Sequence, residues 1–113
     1  MKNTKPTTII LLILLFCSFG LSKDLKSQAT LNKIVIDAGH GGKDPGCHGA
    51  SSNEKTVCLN IALKLGDKIK KTYPGIKVIY TRDKDVFVEL DERANIANKA
   101  KADLFICIHA NAA

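Results

Sequence analysis

Ile34-Val35-Ile36-Asp37-Ala38-Gly39-His40-Gly41-Gly42 decides how this chain reads: a short apolar run ends in an aspartate and opens directly into a glycine-rich loop carrying a histidine. β-Branched residues in a row suit a buried strand, and the glycines after them can take the backbone angles of a tight turn. Leu104-Phe105-Ile106-Cys107-Ile108 repeats the arrangement and delivers His109 at its end. In parallel α/β sheets the carboxyl ends of strands are where ligands and chemistry gather. Histidines at two such ends point to a metal.

Between these runs the pattern is strand, loop, helix, strand, helix, strand. The first strand is expected over 33–37 and a long glycine-containing loop over 39–53. A helix follows over 54–71, with Val57, Ile61, Leu65 and Ile69 on one stripe at helical spacing and lysines opposite. Asn53 is a candidate N-cap, and Tyr73-Pro74-Gly75 stops the helix. The second strand is expected over 76–80, with Thr81-Arg82-Asp83 leaving its carboxyl end. A second helix over 90–101 carries a narrow stripe of Leu90, Ala94 and Ala97. Glu89, Asp91 and Glu92 stand at its start, where carboxylates favour the helix dipole. The third strand, 104–108, is apolar at every position, as a parallel strand buried on both faces would be. Strands alternating with helices give an α/β fold, a parallel or mixed sheet with flanking helices. The abrupt end after the third strand predicts only the N-terminal part of a domain.

Work outward to the N-terminus and the character changes. Lys2 and Lys5 lead into Ile9-Ile10-Leu11-Leu12-Ile13-Leu14-Leu15-Phe16 and then small and polar residues, the layout of a secretory signal. The apolar run is short for a membrane span. Residues 1–29 are therefore expected to be signal peptide and linker, cleaved after Ser22 or Ala29, and residues 30–113 domain sequence. The expected location is outside the cytoplasm, periplasmic or extracellular, with no stable membrane span once the signal is removed.

Cys17 leaves with the signal, and Cys47, Cys58 and Cys107 form no CxxC pair, so neither a disulfide framework nor a cysteine zinc knuckle is indicated. Cys58 and Cys107 read as small apolar residues in a helix face and a strand. The net charge of +6 suits an anionic partner, but the lysines are dispersed and aromatic residues are only 5%, too few for a base-stacking platform. Nucleic acid is not the expected partner.

A phosphate loop is excluded by residue. The Walker pattern needs a glycine where Asp37 stands and Ser or Thr where Asp44 stands, and Asp44 also breaks the dinucleotide fingerprint. A hydrolytic zinc site fits better, since imidazole nitrogen and carboxylate oxygen are its ligand set, three protein ligands with a fourth position left to water. His40 and His109 supply two. Glu54, opening the first helix at the end of the loop that begins at His40, is the best-placed third, with Asp37 and Asp44 as competitors. His48 lies in the same loop in no usable motif and reads as solvent-facing.

The ordered blocks from Ile34 to Gly46, then Glu54-Lys55, Thr81-Arg82-Asp83 with Asp85, Leu90 and Arg93, and Ala102-Asp103-Leu104-Phe105 with Ile108-His109-Ala110-Asn111-Ala112 closely resemble the zinc-dependent N-acetylmuramoyl-L-alanine amidases of the Amidase_3 family. The resemblance implies Zn2+ held by His40, Glu54 and His109. It implies hydrolysis of the amide joining the lactyl group of N-acetylmuramic acid to L-alanine, with peptidoglycan as partner. The family's general-base glutamate falls beyond Ala113, so no catalytic base is assigned here. Asp37, Arg82 and Asn111 are the positions for orienting a ligand or touching substrate, and Arg82 and Arg93 could equally be an ion pair or loop brace. The alternative is a noncatalytic zinc- or peptidoglycan-binding remnant, and a further rival treats both histidines as structural.

Overall fold

The computed structural model of the chain describes residues 30–111. The expected signal segment and both its cleavage points lie outside the described residues. Lys33–Ala38 forms strand β1, Glu54–Thr72 helix α1, Lys77–Tyr80 strand β2, Leu90–Ala100 helix α2 and Leu104–Ile108 strand β3. The strands make one 3-stranded sheet in the order β2-β1-β3. Both pairings are parallel, with Ile34 opposite Val78 on one side and Leu104 on the other. The fold is α/β and the sheet parallel rather than mixed.

Central placement explains the composition of β1. Successive side chains alternate between the faces of a sheet. Ile34, Ile36 and Ala38 pack with Cys58 and Ala62 of α1 in the core, while Asp37 meets Arg93 of α2 on the other face. Both faces are covered, so Val35 and Ile36 are fully buried and even Asp37 is only 3% exposed.

Helix α1 turns a different face inward from the one its large residues suggest. Glu54, Cys58, Ala62 and Gly66 are buried, whereas Ile61 is 46% exposed and Leu65 and Ile69 pack at the margin. Small residues on the inner face allow the helix backbone to sit close to the sheet, and the larger ones flank the contact. At Gly66 a Cβ would overlap the Tyr80 hydroxyl and lie 2.6 Å from its Cζ. Gly66→Ala should therefore lower the urea midpoint: overpacking of about 1–3 kcal/mol outweighs the ~1 kcal/mol gain in helix propensity. An unchanged or raised midpoint would contradict this packing.

Asn53 does occupy the N-cap position, with extended backbone, but its side chain makes no capping bond. The first N–H groups of α1 go to the loop instead, Glu54 to Cys47 O at 2.9 Å and Lys55 to Pro45 O at 3.1 Å. This stitches the glycine loop to the helix start.

Two further expectations fail at α2 and β3. Leu90 is 81% exposed and the buried residue of α2 is Arg93, because the inner face meets the Asp37 carboxylate rather than an apolar surface. Among the described residues β3 pairs only with β1, and Leu104 and Phe105 remain 42% and 41% exposed, so it is not buried on both faces there. Among the described residues no helix is long and apolar enough to cross a membrane.

Candidate metal centre

The parallel register sets the carboxyl ends of β1 and β3 side by side, Ala38 opposite Ile108, and Gly39 N–H extends the ladder to Ile108 O at 3.0 Å. His40 and His109 leave these adjacent ends, and their rings meet edge to face with centroids 4.9 Å apart. The approach needs a glycine, since a Cβ on Gly39 would run into the His109 imidazole. A Cβ on Gly46, whose φ is +65°, would come within 2.6 Å of the His40 ring and 2.8 Å of Glu54 Cβ.

Glu54 enters from the first turn of α1. Its Oε1 lies 3.1 Å from His40 Nε2 and 3.2 Å from His109 Nδ1. The ligand atoms of His40, Glu54 and His109 all fall within 4.8 Å of one another. Among the competitors weighed for the third place, neither Asp37 nor Asp44 joins this group. The Glu54 carboxylate is also held by backbone, Oε2 accepting from Cys47 N–H at 3.0 Å and Oε1 from Ala110 N–H at 2.9 Å. Those N–H groups outweigh desolvation and push its pKa down to about 2.

Asp44 has another task. Its Oδ2 lies 2.8 Å from His40 Nδ1. An ionised carboxylate can only accept, so Nδ1 carries the proton. The bond to His40, helped by Gly46 N–H, lowers the Asp44 pKa and keeps it ionised. Nε2 is then the His40 nitrogen that faces the Glu54 oxygen. An imidazole nitrogen and a carboxylate oxygen 3.1 Å apart can share a proton or hold a cation between them. Donor atoms around a tetrahedral zinc with ~2 Å bonds are about 3.3 Å apart, so the donor types and the two spacings to Glu54 suit that ion.

Asp37, expected to orient a histidine, touches neither. Its Oδ1 accepts from Thr81 Oγ1 at 2.6 Å and Arg93 Nη1 at 2.8 Å, and its Oδ2 from the Cys107 thiol at 3.0 Å. Burial would raise this carboxyl, but the bonds from Thr81, Cys107 and Arg93 and the charge of Arg93 hold it below its usual value. Cys107 is thus a donor rather than an inert strand residue, and burial together with Asp37 pushes its pKa up to about 12. Cys47, Cys58 and Cys107 are all free thiols.

Arg82 is only 3% exposed and faces backbone, giving Nε to Ala38 O at 2.8 Å and Nη2 to Gly39 O at 2.7 Å and Lys55 O at 2.9 Å. It is a loop brace in this structure. Asn111 and His48 are exposed. Sequence reading missed a second brace: Lys55 Nζ reaches Gly42 O at 2.9 Å and Asp85 at 2.7 Å, while Asp85 Oδ1 accepts Gly42 N–H at 2.7 Å. Beside the histidines opens a cleft of about 430 Å³ lined by His40, Asp44, Phe87, Leu90, Phe105 and His109.

Residues 34–113 match the Amidase_3 family, N-acetylmuramoyl-L-alanine amidase. This chain belongs to that family. It is 46% identical over 79 residues to the sporulation-specific N-acetylmuramoyl-L-alanine amidase of Bacillus subtilis (strain 168), covering 70% of this chain and 31% of the relative. The catalytic domain of CwlV, an N-acetylmuramoyl-L-alanine amidase from Bacillus (Paenibacillus) polymyxa var. colistinus, superposes with a TM-score of 0.68 at 44% identity, covering 73% of this chain and 46% of that one. The amidase AmiC2 of Nostoc punctiforme gives 0.67 at 41% identity, with 73% and 45% covered. The amidase family chain thus spans about a third of that curated relative and under half of these solved chains.

Proposed function

We propose that this amidase family member is exported and uses zinc held by His40, Glu54 and His109 to hydrolyse the amide between N-acetylmuramic acid and L-alanine in peptidoglycan. The observation that carries the reading is the convergence of two imidazole nitrogens on one carboxylate oxygen, at 3.1 and 3.2 Å. Membership of the family and the names of its relatives support the substrate. Residues 30–113 are read as part of the catalytic domain, and the apolar run within residues 1–29 as the export signal, placing the protein in the periplasm or outside the cell.

Each side chain has a physical role in this reading. Asp44 fixes the His40 tautomer so that Nε2 is the free donor, as outer partners of metal-bound histidines do. Cys47 and Ala110 N–H groups hold the Glu54 carboxylate in one orientation. When bound, zinc supplies a Lewis acid for the scissile carbonyl and a water of lowered pKa. The adjacent cleft opens onto His40 and His109 and would receive the bond to be cut.

The test is digestion of purified peptidoglycan by the zinc-loaded full chain, read by mass spectrometry. The expected result is stem peptides with a new free amino group on L-alanine, lost on chelation and restored by zinc. Full zinc occupancy with no such amino group released would contradict hydrolysis and leave a binding site without turnover.

A further inference from the structure

Arg93 stands on α2, away from the cluster in sequence, yet its guanidinium is spent on the end of β1, which leads into His40, and on the aspartate that reaches across to β3. Nη2 donates to the carbonyl of His40 at 2.8 Å, and Nη1 to Ala38 O and Asp37 Oδ1, each at 2.8 Å. Nε closes on Val88 O at 3.0 Å, anchoring the group to its own approach segment. On the β3 side, Asp37 Oδ2 takes the Cys107 thiol, and Asp37 and Cys107 are register partners. His109 follows Cys107 by two residues in the chain. Arg93 is 6% exposed, so although it borders the cleft its donors face the loop rather than a substrate.

The loop needs such a hold. His40 sits at φ +60°, a left-handed conformation uncommon for a residue with a Cβ. Positions of this kind persist where the surroundings over-determine them. The planar fork of arginine can grip several acceptors in fixed directions, which a lysine ammonium cannot copy.

We propose that Arg93 is a positioning residue for the metal centre, setting the separation of His40 and His109 by clamping the His40 carbonyl and, through Asp37 and Cys107, the end of β3. This rests on the zinc reading above and adds a residue outside the ligand set.

The experiment compares zinc affinity, by competition with a chromophoric chelator, for the full chain and for Arg93→Lys, Leu65→Ala and His40→Ala. Leu65→Ala is the control for lost stability remote from the site. Arg93→Lys should weaken zinc about 10- to 100-fold, the range for losing an outer partner of a metal ligand. It should also alter the visible absorption of the cobalt-substituted protein, while Leu65→Ala changes neither. Affinity and spectrum equal to those of the Leu65→Ala control would overturn the proposal. Should Arg93→Lys be unfolded without metal, the zinc concentration restoring half its helical signal decides: at least 10-fold above the Leu65→Ala value supports the proposal, and an equal value overturns it. His40→Ala separates the two claims. If it abolishes binding while Arg93→Lys is normal, only the positioning role fails; if it binds as the parent does, the zinc reading fails and the proposal with it.

Discussion

Glu54→Gln should cost this protein its zinc. The substitution keeps the size of the side chain and removes the one negative charge facing both imidazoles, His40 at 3.1 Å and His109 at 3.2 Å. An amide also has a single oxygen, so it cannot accept from both Cys47 N–H and Ala110 N–H as the carboxylate does. Losing a direct ligand should exceed the ~100-fold upper range for outer partners. Chelator competition reads the loss, and a drop smaller than 10-fold would remove Glu54 from the ligand set. The same variant has a pH signature in metal-free protein. Because the folded pKa is lowered from 4.5 to about 2, Glu54 contributes stability that is present above the upper value and lost as pH falls toward the lower one. Glu54→Gln should flatten the acid side of the stability profile across that window.

Asp37→Ala should rank with the truncation of a fully buried apolar side chain among the costly changes in the sheet. The carboxylate is 3% exposed and serves Thr81, Arg93 and Cys107 together. Its removal leaves a buried guanidinium without its counter-charge, a defect that typically costs about 3–5 kcal/mol. Arg93 retains the carbonyls of Ala38, His40 and Val88, so the lower end of that range is expected. Against a total stability of about 5–15 kcal/mol, this is a large share. Urea unfolding in the presence of chelator measures it free of zinc linkage. A loss under about 1 kcal/mol would mean the pair contributes little beyond filling space. The lowered Asp37 pKa gives the sign with pH: its stabilisation holds above the ordinary carboxylate range and fades on acidification.

The parts of this fold written locally in the sequence were legible, and those written in contacts between elements were not. Apolar runs with β-branched residues located β1 and β3, and the helical periods located α1 and α2, because each depends on near neighbours in the chain. His40, Glu54 and His109 could be singled out since each sits at an element end, where topology alone brings them together. Which face of α1 turns inward was misjudged, because Cys58, Ala62 and Gly66 carry no strong apolar signal; the sheet selects them by their small size. Arg93 on the inner face of α2 was equally hidden, its burial making sense only once Asp37 lies opposite. Asp44 was weighed as a ligand, although its position four residues after His40 in a glycine turn allows the bond to Nδ1 instead. The expected burial of β3 on both faces assumed cover that the described elements do not supply.

Diffraction from zinc-soaked crystals of the full chain, with the anomalous signal compared above and below the zinc absorption edge, would locate the metal. A single strong peak is expected within bonding distance of His40 Nε2, Glu54 and His109. A peak at other side chains, or none there in crystals of protein carrying one equivalent of zinc, would contradict this ligand set.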